Sequence, residues 1–486
     1  MSAYDKLQPR AVWKIFAELA KVPRCSGHEA AVMAMLKAWA EQRGLSVKQD
    51  RVGNLLVSIP ASKGREKAAP VLIQGHVDMV CEKNAATKHD FARDPIKLQV
   101  RGDWVTADGT TLGADNGIGV AMALALAETP DAVHPPVEVL LTVDEERGLT
   151  GAAGVEAGFF TARRMINLDS EEDASLFIGC AGGRDSEITV KNKKGKPAKG
   201  HVGRKVTVAG LVGGHSGLDI DKNRGNAIKI LVRCLLAGRD AVPGMKLVAI
   251  DGGSMRNAIP REATAVVSVP ADAARRWRKA VLDTAARIKA EELAGIDDGM
   301  TVKVGTAKLT HSLGSNCTTR TLGLLDALPS GVLAMSRAVP GLVETSSNVG
   351  VVRTEGGKVT VVCCSRSSSM SALDGLVRRH RSLAELLADR AVIDQPPGYP
   401  GWRPNPDSEM VRTTARMYRK LFKRDPELKA IHAGLECGLL TEKYPDLDIV
   451  SFGPDIVGAH SPDEKVSVKS VQKVWRLLLA VLAELR

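Results

Sequence analysis

Residues 71–78, Val-Leu-Ile-Gln-Gly-His-Val-Asp, decide the fold class, because a short apolar run ends there in a histidine and an aspartate. Apolar segments at 137–143 and 165–168 are likewise followed by acidic residues, and a helical pattern over 118–128 lies between the first two segments. Short apolar strands that alternate with helices are typical of a parallel sheet covered by helices. The sequence therefore predicts an α/β fold with a mostly parallel mixed sheet flanked by helices.

This alternating pattern is interrupted in the middle of the chain. A glycine-rich stretch at 179–183 is followed by new strand patterns and amphipathic helices, and the first pattern resumes only after them. We therefore expect a catalytic domain in two parts, 1–183 and 384–486, with an inserted α+β domain at 184–383.

The composition is that of a globular protein, with 44% hydrophobic and 25% charged residues in a chain of 486. No uncharged apolar run reaches the length of a membrane span, and the N-terminal segment lacks the apolar region of a secretory signal. We therefore expect a cytoplasmic protein with no membrane partner.

The net charge of +11 raises the hypothesis of nucleic-acid binding. Lysine and arginine are spread along the chain, however, and aromatic residues make up only 3%, which leaves few platforms for base stacking. A solvated basic surface explains the charge better, and no nucleic-acid partner is expected.

Two local patterns near the N-terminus carry further predictions. Ser26 and Glu29 have the spacing of a capping box at the start of a second helix. The eight cysteines, Cys25 and Cys81 among them, include no Cys-x-x-Cys pair, and a chain of this size needs no disulfide staples. We expect reduced, mostly buried thiols.

Six short motifs hold the residues best suited to chemistry. Four of them place a histidine or a carboxylate at the end of an apolar strand or just before a helix, positions that converge on one crevice of an open α/β sheet. Imidazoles and several carboxylates in one crevice favour bound cations. A nitrogen and oxygen donor set without thiolate suits zinc, cobalt or manganese, and several carboxylates suit a two-metal site. The motifs lie at 74–78, 113–117, 144–146, 167–170, 213–217 and 458–462.

Longer phrases point to a family. They are Thr-Thr-Leu-Gly-Ala-Asp-Asn-Gly-Ile-Gly at 110–119, Gly-Gly-His-Ser-Gly at 213–217, Arg-Asn-Ala-Ile-Pro-Arg-Glu-Ala at 256–263, Ile-His-Ala-Gly-Leu-Glu-Cys-Gly-Leu at 431–439 and His-Ser-Pro-Asp-Glu at 460–464. On these phrases the chain resembles, over essentially its whole length, the aminoacyl-histidine dipeptidases. These are cocatalytic zinc peptidases related to the carnosinases and the glutamate carboxypeptidases.

The resemblance implies a site for two zinc ions, with cobalt or manganese able to substitute. By the family pattern, His76 and Asp169 hold the first ion, and Glu146 and His460 hold the second. Asp115 bridges both ions, and a cis peptide bond often follows this aspartate in the family.

The resemblance also implies three catalytic roles. Glu145 is the general base, which takes a proton from the zinc-bridging water and later delivers it to the leaving amine. Asp78 contacts His76 from behind and fixes its tautomer. His215, on the inserted domain, stabilises the tetrahedral oxyanion.

The implied substrates are dipeptides, preferentially those with C-terminal histidine, carnosine included. Asn257 and Arg366 match positions that touch the substrate, and Arg366 would pair with the free carboxylate through two hydrogen bonds. Glu436 is the candidate for the free amine. The inserted domain would serve as a lid and as the contact of a homodimer.

Two alternatives share the scaffold. An aminoacylase or a tripeptidase would use the same metal chemistry, but the long phrases specific to the Xaa-His group argue against it. A non-catalytic binding protein would require the loss of Glu145 or of a metal ligand, and all of these residues are present.

Overall fold

The computed structural model describes residues 3–387 and 390–486. The chain divides into two compact units. The first extends to Gly179 and includes Trp402–Ala430 and Leu435–Arg486, and the second consists of Cys180–Gly401 and Ile431–Gly434. The units therefore change at Gly179 and Gly401, whereas the sequence places domain limits at 183 and 383.

The helices and strands of the described residues are as follows. The α-helices are α1 (Arg10–Leu19), α2 (Ala30–Glu41), α3 (Ala114–Ala125), α4 (Glu145–Gly148), α5 (Thr150–Gly154), α6 (Ala227–Ala241), α7 (Ala274–Glu292), α8 (Ser315–Ala327), α9 (Met370–Glu385), α10 (Glu409–Phe422), α11 (Glu436–Lys443) and α12 (Val468–Glu484). The strands are β1 (Ser46–Gln49), β2 (Leu55–Ile59), β3 (Val71–His76), β4 (Leu98–Arg101), β5 (Trp104–Ala107), β6 (Val137–Thr142), β7 (Arg164–Asn167), β8 (Ser175–Cys180), β9 (Gly182–Lys191), β10 (Lys194–Gly195), β11 (His201–Ala209), β12 (Gly214–His215), β13 (Lys246–Gly252), β14 (Ala258–Ile259), β15 (Ala263–Pro270), β16 (Thr301–Ala307), β17 (Ser312–Leu313), β18 (Gly331–Met335), β19 (Val343–Glu355), β20 (Lys358–Ser367), β21 (Ala391–Asp394), β22 (Glu427–Ile431), β23 (Asp448–Ser451), β24 (Ile456–Val457) and β25 (Lys465–Ser467).

The first unit is built on an eight-stranded mixed sheet in the order β1-β2-β6-β3-β7-β23-β8-β22. Its centre is parallel, because β3 pairs in parallel with both β6 and β7, and β7 pairs in parallel with β23. The β1–β2, β2–β6 and β8–β23 pairings are antiparallel. The predicted α/β class with a mixed sheet is confirmed, and its parallel pairings are those of the central strands.

Strand β3 lies at the middle of this sheet and is buried along all six of its residues. Helix α3 packs against it with almost every side chain buried. Close packing requires a glycine at position 75, since a Cβ atom there would lie 2.2 Å from Oδ1 of Asn116. The core of this unit thus brings the start of α3 against the end of β3.

The second unit contains a nine-stranded sheet in the order β16-β11-β15-β13-β19-β20-β9-β21, with β18 paired to β19. The pairings described for it are antiparallel, in contrast to the centre of the first sheet. Helices α6 and α7 pack on each other, and Trp277 of α7 lies fully buried in the hydrophobic core that α6 shares with the sheet.

One prediction about the cysteines is wrong. Cys25 and Cys81 form a disulfide with their Cα atoms 5.7 Å apart, whereas the thiols of Cys234, Cys317, Cys363 and Cys364 are free. A β-bridge between Cys25 and Met79 brings the two segments side by side. The pairing joins residues 56 positions apart, so their spacing in the sequence carried no signal of it.

Among the described residues, no helix combines the length and the apolar character needed to cross a bilayer.

Candidate metal centre

The five predicted metal ligands lie together in the first unit. His76 is the last residue of β3, Glu146 lies in α4 just after β6, and Asp169 follows the end of β7 by two residues. Because β6, β3 and β7 are parallel neighbours, their carboxyl ends meet at one edge of the sheet. Asp115 comes from the start of α3, and His460 from the loop between β24 and β25.

Asp115 uses its two carboxylate oxygens separately. Oδ1 lies 3.1 Å from Nε2 of His76, and the same nitrogen lies 3.2 Å from Oδ1 of Asp169. Oδ2 lies 3.2 Å from Nε2 of His460, and that nitrogen lies 3.0 Å from Oε1 of Glu146. The cluster is therefore two half-sites, each with one histidine and one carboxylate of its own, that share Asp115.

The donor atoms fit divalent cations. Donors within one half-site are about 3 Å apart, which is the spacing of neighbouring ligands at about 2 Å from a common ion. Ligand atoms of His76, Asp115 and Glu146 lie within 4.8 Å of one another. Oδ1 of Asp169 and Oε1 of Glu146 are buried and have no hydrogen-bond partner in the part of the chain that the structure describes. A cation in each half-site would satisfy them.

The electrostatics of the cluster favour added positive charge. Burial lowers the pKa of His76, but the charge of Asp169 and contacts with Asp115 and Asp78 raise it well above its ordinary value. Contacts with Asp115 and Glu146 raise the pKa of His460 to about 11. Burial and the neighbouring carboxylates Asp115 and Glu146 raise the pKa of Asp169 to about 6, although His76 opposes this.

Two structural details are found directly after Asp115. The peptide bond between Asp115 and Asn116 is cis, as the family resemblance implies. The Asn116 side chain donates a hydrogen bond to the carbonyl oxygen of Leu168 at 2.7 Å. The start of α3 is thereby joined to the segment that carries Asp169.

Asp78 contacts both the first histidine and the segment of the two glutamates. One oxygen lies 3.4 Å from Nδ1 of His76, and the carboxylate accepts the backbone N–H groups of Glu145 at 3.0 Å and Glu146 at 3.2 Å. The hydroxyl of Ser26 donates to it at 2.7 Å. Burial opposes ionisation, but these contacts lower the pKa of Asp78 to about 2. A charged Asp78 can thus orient His76 and fix α4.

The two remaining glutamates of the prediction have raised pKa values. Burial, with the charges of Asp169, Glu436 and Glu146, raises the pKa of Glu145 well above its ordinary value. Glu436 is fully buried and accepts hydrogen bonds from Nε2 of Gln74 at 2.5 Å and Oγ1 of Thr142 at 2.8 Å. Burial raises its pKa to about 7. Its Oε1 atom has no hydrogen-bond partner among the described residues.

The other three predicted residues lie in the second unit. His215 of β12 pairs with Ala258 of β14, directly after Asn257, whose carbonyl oxygen accepts the N–H of Ser216 at 2.8 Å. Nδ1 of His215 accepts the N–H groups of Gly217 at 3.3 Å and Leu218 at 3.1 Å. Burial and the charge of Arg366 lower the pKa of His215.

Arg366, on β20, is buried, and its Nη1 donates to the hydroxyl of Tyr399 at 2.8 Å. Its Nε atom has no hydrogen-bond partner within the described ranges. The structure thus brings the predicted residues together in two groups, the metal cluster with Asp78, Glu145 and Glu436 in one unit, and His215, Asn257 and Arg366 in the other.

Four residues with contacts to these groups were missed by the sequence analysis. Burial of its carboxyl group next to Asp115 raises the pKa of Glu171 to about 8, yet the acidic pair Glu171-Glu172 looks like a solvated loop. Tyr399, Arg24 and Glu464 carried no local signal, although Glu464 ends the His-Ser-Pro-Asp-Glu phrase.

The whole chain is similar to two dipeptidases. The chain is 41% identical over 486 residues to the cytosol non-specific dipeptidase of Escherichia coli (strain K12), covering 100% of this chain and 99% of that protein. It is 41% identical to the aminoacylhistidine dipeptidase from Vibrio alginolyticus, whose crystal structure matches with a TM-score of 0.94 over 100% of this chain and 98% of that one.

The fold is also that of the aminopeptidase PepT from Bacillus cereus ATCC 10987, with a TM-score of 0.59 at 16% identity over 99% of both chains. Residues 72–484 match Peptidase family M20/M25/M40. The predicted resemblance is confirmed, and the chain belongs to Peptidase family M20/M25/M40, as a hydrolase of that family.

Proposed function

We propose that the protein is a dipeptidase that depends on two divalent ions, with zinc as the first choice and cobalt or manganese able to substitute. One observation carries the proposal: the two oxygens of Asp115 face two different histidine–carboxylate pairs. The names of the two relatives at 41% identity, both dipeptidases, support the substrate class.

The bound ions would supply a water that ionises near neutral pH and a Lewis acid for the scissile carbonyl. Glu145 acts as the general base, takes a proton from the attacking water and delivers it to the leaving amine. The pKa of Glu145 is raised above that of an ordinary glutamate by burial, which is the direction that favours a general base at neutral pH. Asp78 keeps His76 oriented as a ligand and holds the backbone of Glu145.

His215 is proposed as the donor to the oxyanion. Its Nδ1 accepts two backbone N–H groups, so the neutral ring must carry its proton on Nε2. Burial and the nearby Arg366 lower its pKa and keep the ring neutral. The side chain is therefore a hydrogen-bond donor at Nε2, as stabilisation of an oxyanion requires.

Both ends of a dipeptide need recognition. We assign the C-terminal carboxylate to Arg366, whose Nε–H is unused in the described structure while Nη1 is held by Tyr399. Asn257 lies next to His215 and is assigned to the substrate backbone. The free amine is assigned to Glu436, whose Oε1 has no hydrogen-bond partner within the described residues. A site that matches both charges rejects longer or blocked peptides.

The finer substrate preference is also a proposal. A preference for Xaa-His dipeptides, carnosine included, follows the name of the Vibrio alginolyticus relative. The Escherichia coli relative is called non-specific, which favours a broader range as the second candidate.

We further propose a cytoplasmic homodimer in which the second unit acts as lid and dimer contact. The word cytosol in the name of the Escherichia coli relative supports the location. No nucleic-acid or membrane partner is proposed.

A dipeptide panel, with metal content measured on the same sample, tests the activity. We expect two ions per chain, cleavage of carnosine and Gly-His, weaker cleavage of Gly-Leu, and almost none of Gly-Gly-His or an N-acetylated dipeptide. Equal cleavage of Gly-Leu would favour the broader range. Preferred hydrolysis of the acetylated compound would contradict dipeptidase activity and indicate an aminoacylase.

A further inference from the structure

The carboxylate of Glu464 binds the backbone that leads into α3. Its Oε2 accepts the N–H groups of Leu112 at 2.7 Å and Gly113 at 2.9 Å. Its Oε1 accepts those of Ala114 at 2.7 Å and Asp115 at 3.3 Å. The side chain is 2% exposed, so these four N–H groups replace water as its partners.

This contact joins two ligand-bearing segments. The N–H groups of Leu112 to Asp115 lie before the regular part of α3, since Asp115 and Asn116 have non-helical backbone angles, and buried N–H groups of this kind need an acceptor such as a carboxylate anion. Here the anion comes from about 350 positions away in the sequence and lies four residues after His460. The Glu464 side chain therefore connects the loop that carries His460 to the loop that carries Asp115. Nε2 of His460 and Oδ2 of Asp115 are 3.2 Å apart.

Arg24 holds the same loop from the other half-site. Its buried guanidinium donates to the carbonyl oxygens of Gly113 at 2.5 Å, Val77 at 2.8 Å and Asp78 at 3.3 Å. Val77 and Asp78 directly follow His76, a ligand of the first half-site. The loop of Asp115 is thus fixed to the first half-site by Arg24 and to the second by Glu464.

We propose that Glu464 is a positioning residue for the second half-site, the one formed by Oδ2 of Asp115, His460 and Glu146. This inference rests on the dinuclear function proposed above. Without the carboxylate, the His460 loop is no longer anchored to the Asp115 loop, while Arg24 continues to hold the His76 side. Loss of Glu464 should therefore weaken the binding of the ion in the second half-site and leave the binding of the other ion unchanged.

Two variants test this by titrating metal-free protein with zinc. Glu464→Gln puts an NH2 group against two of the four N–H donors. Glu464→Asp keeps the charge but is one methylene too short to span both pairs. In each variant we expect one ion to bind as in the wild type and the other at least tenfold more weakly. At limiting zinc, kcat of each variant should be at least tenfold below that of the wild type, while KM stays within twofold of the wild-type value. Saturating zinc should restore part of the lost kcat.

Glu138→Gln is the matched control. Glu138 also accepts backbone N–H groups, from Thr161 at 2.9 Å and Ala162 at 2.8 Å, but at the opposite end of β6 from the cluster. This variant should lose stability yet bind both ions as the wild type does.

Two results would overturn the inference. One is that both Glu464 variants bind two ions with wild-type affinity. The other is that both ions weaken together, in proportion to a fall in melting temperature that Glu138→Gln reproduces. A wild-type protein that binds fewer than two ions would instead refute the dinuclear function itself, whatever the variants do.

Discussion

Glu145 and Glu146 are adjacent, yet their carboxylates have different surroundings. Oε1 of Glu146 lies 3.0 Å from the ligand nitrogen of His460, whereas Glu145 has a strongly raised pKa. Glu145→Gln should keep both ions and lose roughly a hundredfold or more in kcat, as expected for a lost general base. Glu146→Gln should instead weaken one ion. Metal analysis and steady-state kinetics on both variants check this, and near-normal turnover of Glu145→Gln would contradict the assignment.

The tautomer of His215 leads to a second prediction at this scale. His215→Ala should lower kcat by about a hundredfold, the cost of one oxyanion donor, with no change in metal content. His201→Ala is the control, because His201 is a partly buried histidine of the same unit whose Nδ1 contacts Ser268 at 3.0 Å. Equal turnover of the two variants would remove His215 from the mechanism.

The clustering of the five proposed metal ligands could be predicted from the sequence because each lies in a strong local pattern. His76 and Asp169 follow apolar strands, and Asp115 lies in a long family phrase. At Ser26, in contrast, the local pattern predicts the wrong contact. Its predicted capping box does not form, since its hydroxyl donates to Asp78, and the N-cap residue Glu29 makes no side-chain cap. A partner 52 positions away leaves no trace in the local pattern.

Among the elements, buried strands were predicted most accurately. The apolar run at 165–168 became β7 (Arg164–Asn167), a shift of one residue. The helix expected over 118–128 lies within α3, whose first turn is irregular because Asp115 and Asn116 have non-helical backbone angles. The regular part of the helix therefore begins close to the predicted position, and the N–H groups before it are bound by Glu464, a contact that has no local signature.

Helix α9 predicts a pH dependence. His380 on this helix is fully buried with Nδ1 3.1 Å from Oγ of Ser186, and burial lowers its pKa to about 4. The unfolded chain, with a histidine pKa of about 6.5, binds the proton more readily, so stability is lost as pH falls through this window. The full loss is about 3 kcal/mol per histidine.

His432 of the same unit also has a pKa lowered to about 4, so it should contribute similarly. His380→Gln should therefore reduce the loss of unfolding free energy between pH 7 and pH 4 by about 3 kcal/mol. Denaturant unfolding at both pH values checks this, and an unchanged pH dependence would show that His380 does not titrate in this way.

At the scale of the whole molecule, all five proposed metal ligands belong to one of the two compact units. A bound ligand raises the unfolding free energy of the unit that binds it, by about 2.7 kcal/mol when the free ligand concentration is a hundred times the dissociation constant. We therefore expect two unfolding transitions in calorimetry, of which zinc raises one and chelation lowers the same one. The transition of the second unit should stay fixed, and equal shifts of both would contradict this placement of the ligands.

The order of the ligands along the chain has a consequence for biosynthesis. Four of them precede residue 170, and the fifth is His460. At about 5–20 residues per second, roughly 15–60 s of translation separate Asp169 from His460. The donors of the first half-site thus leave the ribosome well before the second half-site has its histidine. If these residues bind the ions, a nascent chain would have the donors for one ion long before it has those for two, and the second half-site would be complete only after the segment with His460 has joined the first unit.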